Sequence, residues 1–261
     1  MAINVDSVYK TVLLILNKEQ RGYITPDEFN KTATQVQLDI FEQYFDDLNQ
    51  QLRVPQADYD YSDRQMNIDE KISFFKAIGS CTYNTSGGYW QLPTSAVGSS
   101  TFNIRYTIQP SLASGDAYFY RLGTITYTPL AGYPVELQRL QRNDFYNIDQ
   151  SPLTRPTKSF PCYLYEGNRL YVKPTDIQTG TGTIEASIIR KPLDVVWGFD
   201  PGGAGQYVWS PTASRSFELE QSEQVNVILR ILQYSGIVIR DPQIIQAASA
   251  EVAQNEANKK S

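Results

Sequence analysis

The chain has 261 residues, of which 41% are hydrophobic and 20% are charged, a composition typical of a folded globular protein. It contains no histidine and two cysteines, which excludes Ser-His-Asp and Cys-His nucleophile systems and every metal site built on histidine or on four cysteines. The 23 Lys and Arg against 28 Asp and Glu give a net charge of −5, which disfavours a sequence-specific DNA reader. We therefore expect no metal and no cofactor.

Two helices are predicted for the N-terminal part of the chain. Apolar residues recur every three or four positions from Val5 to Leu16, as on one face of an amphipathic helix. The stretch Thr25-Pro26-Asp27-Glu28 then places a Thr N-cap, a Pro at the first helical position and a Glu three residues after the cap. This pattern predicts a capping box and a long helix that runs to about Leu48. A third helix is predicted from about Ser62 to Ile78.

From residue 81 to residue 216 the period of the apolar pattern changes to two, which predicts strands. The clearest signal is a hairpin, in which Cys162–Glu166 and Arg169–Lys173 flank the turn residues Gly167-Asn168. Thr183 to Arg190 is another predicted strand. The frequent Gly and Pro residues between these runs favour an antiparallel β-sandwich or barrel-like domain.

The helical period returns at the C-terminus, where Val225, Ile228 and Leu232 lie on one stripe. Gly236 is predicted to end this helix as a left-handed C-cap, and Asp241-Pro242 is predicted to start another. The sequence thus predicts an α+β protein. Residues 1–80 and 217–261 are expected to form one helical domain, into which the β-rich residues 81–216 are inserted.

No motif for catalysis is found. The glycine-rich stretch Gly202-Gly-Ala-Gly205 lacks the Lys-Ser/Thr of a phosphate-binding loop, and we interpret it as a turn. The carboxylate pairs, such as Asp46-Asp47, are neighbours in sequence, which does not establish the facing geometry that glycoside hydrolysis requires. We predict no catalytic residue and a protein that is not an enzyme.

Six residues are candidates for interaction surfaces. Trp90, Trp197 and Trp209 are predicted to lie in glycine-rich loops, where they could bind a neighbouring subunit, stack on sugars or plug the ends of a sandwich. Ile244, Ile245 and Val252 stand in an alanine-rich C-terminal helix that buries little area alone. We predict that this helix docks on a partner; the alternative is a terminal helix folded back on its own domain.

Four stretches of the sequence resemble one group of viral proteins. They are Val8 to Asn30 with its continuation Ile40 to Phe45; Ser151 to Lys158 with Gly167 to Pro174; Ile189 to Pro192 with Trp197; and Phe217 to Leu219 with Ser222-Glu and Ser235 to Ile239. Together they resemble virion proteins of short-tailed, crAss-like double-stranded DNA phages, in which such proteins are head–tail connector components.

The resemblance implies a structural protein of the virion neck, assembled in the host cytoplasm. Its expected partners are further copies of itself in a twelve-fold ring, the portal protein, and the neighbouring ring proteins of the tail. DNA would pass through the channel without sequence-specific binding, and no membrane would be involved. The resemblance supplies no catalytic residues.

Two other classes of function remain open for the sequence. A carbohydrate- or receptor-binding module would use the aromatic loops, and a monomer that binds glycans would favour it. A histidine-free glycosidase would require a pair of carboxylates whose mutation abolishes turnover.

The helical stripe in the C-terminal segment makes a testable prediction. Because Leu232 is expected in a core, Leu232→Asp should lower the free energy of unfolding by several kcal/mol, about the cost of an unpaired charge in a core. Chemical denaturation measures this change. A loss below about 0.5 kcal/mol would mean that the stripe is exposed.

Overall fold

A computed structural model of the chain describes residues 2–18, 23–53, 60–94, 103–106, 116–177, 182–202, 206–239, 246 and 248–254. The fold is mixed α and β, with mostly antiparallel pairing in its sheets. The chain divides into two compact units. The first consists of Met1–Phe74 and Pro192–Ser261, and the second is Phe75–Lys191. Within the described residues, no helix has the length and apolar character needed to cross a membrane.

The helices and strands follow one another in chain order. The helices are α1 (Val5–Lys18), α2 (Pro26–Arg53), α3 (Asp60–Ser73), α4 (Arg142–Asn147) and α5 (Gln224–Ile239), with a 3-10 turn at Gln221–Glu223 before α5. The strands are β1 (Lys76–Ser80), β2 (Thr82–Asn84), β3 (Tyr89–Gln91), β4 (Asn103–Arg105), β5 (Asp116–Pro129), β6 (Val135–Glu136), β7 (Gln138–Arg139), β8 (Cys162–Glu166), β9 (Arg169–Lys173), β10 (Gly182–Arg190), β11 (Phe199–Pro201) and β12 (Tyr207–Trp209).

The capping box predicted at the start of α2 is confirmed. The backbone N–H of Thr25 donates to Oε2 of Glu28 at 2.9 Å, and the N–H of Glu28 donates to Oγ1 of Thr25 at 3.3 Å. Two of the N–H groups at the helix start are therefore satisfied locally. These two N–H groups need no hydrogen-bond partner from another part of the fold.

Apolar stripes on α1, α2 and α5 form the core of the first unit. Val8, Val12 and Leu16 of α1 are fully buried, as are Phe29 and Val36 of α2. Both α1 and α2 contact α5, in which Leu232 is 6% exposed. Of the stripe predicted for this helix, Leu232 is thus buried, whereas Ile228 is half-buried and Val225 is 62% exposed.

Polar side chains of α2 bind the backbone of an extended segment. Asn30 accepts the N–H of Trp197 at 2.7 Å through Oδ1, and Oγ1 of Thr34 accepts the N–H of Val195 at 3.1 Å. The same two side chains also donate weakly to the carbonyl oxygens of Trp197 and Val195, at 3.4 Å each. Alternate residues of the extended segment are therefore bound by successive turns of the helix.

Gln37 continues this series in a fully buried position. Its Nε2 donates to the carbonyl oxygen of Leu193 at 2.7 Å, and its Oε1 accepts the backbone N–H of Glu218 at 2.8 Å. The carboxylate of Glu218 in turn accepts the N–H of Leu193 at 2.8 Å. One amide thus joins two chain segments on either side of the β11–β12 hairpin. We call Asn30, Thr34 and Gln37 the polar ladder.

The ladder explains one difference from the predicted domain limits. Residues 192–216 were assigned by sequence to the β-rich domain, whereas in the structure they belong to the first unit. Leu193, Val195 and Trp197 bind α2, and Phe199–Pro201 pairs with Tyr207–Trp209, so the strand-like pattern reflects an extended segment and a short hairpin. At the other limit, the second unit begins at Phe75, before the predicted residue 81.

Two predicted helix ends also differ from the structure. The third helix was predicted to reach Ile78, but α3 ends at Ser73 because Lys76–Ser80 pairs with β10 as an antiparallel strand. Gly236 was predicted as a C-cap, yet it is buried within α5, which continues to Ile239. Its small size suits a buried helical position, although glycine costs about 1 kcal/mol there relative to alanine.

The second unit contains two five-stranded sheets. One has the order β1-β10-β5-β4, with β6 also paired to β5; the other has the order β2-β3-β9-β8-β7. Buried residues of both sheets, including Ile125, Ile188, Trp90 and Leu170, form one hydrophobic cluster. Most pairs are antiparallel as predicted, but β4 with β5 and β7 with β8 are parallel.

The predicted hairpin at Gly167-Asn168 is confirmed. The strands β8 and β9 pair from Cys162 opposite Lys173 to Glu166 opposite Arg169. Gly167 and Asn168 have φ angles of 55° and 62°, the left-handed conformation that a two-residue hairpin turn requires.

The polar ladder yields a prediction for stability. Gln37→Met keeps the length of the side chain but removes both hydrogen bonds, leaving the carbonyl of Leu193 and the N–H of Glu218, both on half-buried residues, without this partner. We expect the free energy of unfolding to fall by about 2–4 kcal/mol. Gln35→Met, at an exposed position of the same helix, is the control and should change it by less than about 0.5 kcal/mol. Equal effects in urea denaturation would contradict a role for the ladder.

Candidate functional site

A chain of aromatic rings leads from the core of the first unit to its surface. The ring of Tyr9 lies 4.4 Å from that of Trp197, which lies 6.0 Å from Phe199, which in turn lies 4.7 Å from Tyr207. Tyr9 and Trp197 are buried, whereas Phe199 is 38% exposed and Tyr207 is 48% exposed. The next residue, Val208, is also 48% exposed. Because neighbouring residues of a strand point to opposite faces, Val208 is on the other face of the hairpin. We call Phe199 and Tyr207 the aromatic hairpin surface.

Trp197 is the buried base of this surface. Its backbone is held by Asn30, and its Nε1 donates to Oδ1 of Asp6 at 3.2 Å. The other carboxylate oxygen of Asp6 binds Nζ of Lys10 at 2.7 Å. Hydrogen bonds thus hold both the main chain and the ring of Trp197. The exposed residues Phe199 and Tyr207 follow this fixed residue in the chain.

A second contact holds the other strand of the hairpin. Nε1 of Trp209 donates to Oγ of Ser214 at 2.9 Å, and the same hydroxyl accepts the backbone N–H of Gly198 at 3.0 Å. A Cβ atom at Gly198 would lie 2.5 Å from the carbonyl carbon of Ala213, so only glycine allows this close approach. The two strands are therefore clamped by residues 210–214.

The structure corrects the predicted roles of the three tryptophans. Trp197 precedes β11, and Trp90 and Trp209 lie in strands rather than in loops. Trp90 and Trp197 are each 4% exposed, which makes them core residues and not contact residues. Trp209 is partly buried at the edge of the aromatic hairpin surface. The structure brings Trp197 and Trp209 to one hairpin and places Trp90 in the core of the second unit.

The C-terminal candidates are only partly described. Ile244 and Ile245 lie outside the described residues. Val252 is half-buried in the helical stretch 248–254, and Ala248 is 5% exposed. The burial of Ala248 is compatible with the fold-back alternative, which also stays a prediction. Docking of this helix on a partner stays a prediction.

Sequence reasoning missed a set of exposed apolar side chains in the second unit. They lie in connections between strands and are between 81% and 95% exposed: Leu130, Tyr133, Leu153 and Phe160. One sequence pattern could have predicted these exposed side chains: a large apolar residue near a turn-forming Gly or Pro, as in Pro129-Leu-Ala-Gly132 and Phe160-Pro161. Exposed apolar side chains are candidates for protein contacts where they lie together in one patch.

The two cysteines lie in the second unit and are not disposed for nucleophilic chemistry. Burial raises the pKa of the Cys81 thiol to about 12 and that of Cys162 to about 11. At neutral pH both remain protonated, and the thiolate is the reactive form. Across the described ranges, no three Cys, Asp or Glu side chains are grouped so that they could hold a metal ion.

The sequence was compared with protein-family models and with curated proteins, and neither comparison finds a match. The candidate site therefore rests on the geometry described above.

The buried thiols make a prediction for chemical reactivity. At pH 8, iodoacetamide should modify Cys81 and Cys162 in the folded protein at least about 100-fold more slowly than in urea, because both pKa values lie well above the usual value of about 8.5. Mass spectrometry of quenched samples measures the two rates. Equal rates in folded and unfolded protein would show that the thiols are accessible.

Proposed function

We propose that this chain is a non-enzymatic structural subunit of the head–tail connector of a short-tailed, crAss-like DNA phage. The observation that carries the proposal is the rigidly supported aromatic hairpin surface. Tyr, Trp and Phe are enriched in protein interfaces, where a preorganised aromatic residue loses little entropy on binding. A subunit that binds permanent neighbours requires such a surface, and a catalytic cleft is not needed for this role.

The proposed architecture is one helical domain formed by both ends of the chain, with a β-domain inserted between them. The division into units supports this, since Met1–Phe74 and Pro192–Ser261 group together and Phe75–Lys191 separates them in sequence. Contacts of α1 and α2 with α5 also support it.

A closed ring requires two different, complementary surfaces on each subunit. The aromatic hairpin surface is one candidate, and the exposed residues Leu153 and Phe160 of the second unit are candidates for another. The proposed partners are further copies in a twelve-fold ring, the portal protein and adjacent tail rings. A net charge of −5 is compatible with DNA sliding through the channel, because a strongly basic lumen would retain phosphates.

The alternative of sugar binding by the three tryptophans is less well supported. Stacking on a sugar requires an exposed ring face, and Trp90 and Trp197 are each only 4% exposed. The structural role in a virion neck is therefore the stronger proposal.

Substitution of one tyrosine in the phage tests the proposal. Tyr207→Asp places a charge within the aromatic hairpin surface, where burying it on assembly would be unfavourable. We expect particles of this variant to accumulate as heads that lack tails. Val225→Asp is the matched control, because Val225 is 62% exposed on α5, and its particles should be complete.

Electron microscopy of purified particles provides the readout, and thermal unfolding of both purified variants checks that each is folded. In wild-type particles the chain should form a ring beneath the portal. Absence of the chain from particles, or normal assembly of a folded Tyr207→Asp variant, would disprove the proposal.

A further inference from the structure

An open cleft of about 440 Å³ lies on the second unit, beside the β2–β3–β9 sheet. At one side it reaches Leu92 of the hydrophobic cluster and Tyr106, which packs against that cluster. Its volume is in the range of about 300–1,000 Å³ found for small-molecule sites. Its lining is mainly polar and includes Thr82, Tyr89, Gln91, Thr94, Asn168 and Arg169.

Strand register aligns three of these residues. Thr82 on β2 is directly opposite Gln91 on β3, and Gln91 is directly opposite Arg169 on β9. Their neighbours Trp90 and Leu170 point to the other face and are buried in the cluster. A hydroxyl, an amide and a guanidinium thus form one cross-strand row on an exposed face. We call this the polar row.

The guanidinium of Arg169 is held in place without a carboxylate. It lies over the ring of Tyr89, with 4.5 Å from its carbon to the ring centroid. Glu166, opposite Arg169 across the hairpin, is bound by Arg142 at 2.9 Å. Within the described part of the chain, no carboxylate forms an ion pair with Arg169.

Tyr89 is itself fixed by its surroundings. Its hydroxyl oxygen accepts from Nδ2 of Asn84 at 3.3 Å. A Cβ atom at Gly87 would lie 2.2 Å from the ring, so glycine is required there for the ring to occupy this position. The guanidinium of Arg169 therefore lies on a tyrosine ring that is already fixed before a ligand binds, which lowers the entropic cost of binding.

We propose that the polar row binds an acidic saccharide, whose carboxylate pairs with Arg169 and whose hydroxyls bind Gln91, Thr82 and Asn168. Arginine recognises carboxylates through two parallel hydrogen bonds, and amide and hydroxyl groups both donate to and accept from sugar hydroxyls. This site uses none of the three tryptophans. It does not depend on the proposed ring, because the row lies within one chain.

The test is isothermal titration of the full chain with trigalacturonate, and with galactotriose as the neutral probe. The wild-type chain should bind trigalacturonate more tightly than galactotriose, and added salt should weaken the binding of the acid. Arg169→Gln should weaken binding of trigalacturonate by about tenfold or more, the effect expected for loss of a charge-assisted hydrogen bond.

The matched control is Arg121→Gln. Arg121 also lies over a tyrosine in the same unit, with 5.1 Å from its guanidinium to the ring of Tyr120, but it does not line the cleft. Its substitution should leave binding unchanged. Absence of binding by the wild-type chain, equal affinity for galactotriose, or an equal effect of both substitutions would overturn the proposal. Tighter binding of a hexaglutamate peptide would also overturn it, since the cleft would then be a peptide site.

Discussion

The hydrogen bonds from α2 to residues 193–197 are the constraint on which the first unit depends. An extended segment outside a sheet still needs partners for its buried N–H and C=O groups. Asn30, Thr34 and Gln37 provide them at helical spacings of four and three residues. Two extended residues span about 6.6 Å, close to the rise of about 6 Å over the four helical residues from Asn30 to Thr34. The three-residue step to Gln37 rises only about 4.5 Å, and the long side chain of Gln37 reaches Leu193 across the difference. Side chains of one helix therefore take the place of a neighbouring strand.

This constraint determines where the aromatic hairpin surface starts. The ladder ends at Trp197, whose ring is bound to Asp6, and the exposed Phe199 follows two residues later. A hairpin of three-residue strands would be marginal alone. Its support by the buried tryptophan and by Ser214 accounts for exposed aromatic residues on so short an element. The same support is what the proposed role in ring assembly requires.

In the second unit, the alternation of side chains along β3 and β9 produces both the core and the cleft. Trp90 and Leu170 alternate with Gln91 and Arg169 along β3 and β9, so that burial of the first pair exposes the second. A change of register by one residue would exchange the two faces. The hydrophobic cluster therefore fixes the geometry of the polar row, although none of its residues belongs to the row.

The sequence by itself determined the features that depend on neighbours in the chain: the capping box of Thr25, the apolar stripes of α1 and α2, and the turn at Gly167-Asn168. Only the tertiary structure decided which extended segments join which unit, the burial of Trp90 and Trp197, and the row that aligns Thr82 with Arg169. Local patterns reflect dihedral preferences and periodicity, which a few residues suffice to express. Burial and cross-strand alignment depend on partners far away in sequence, such as Asn30 for Trp197, and no local pattern records them.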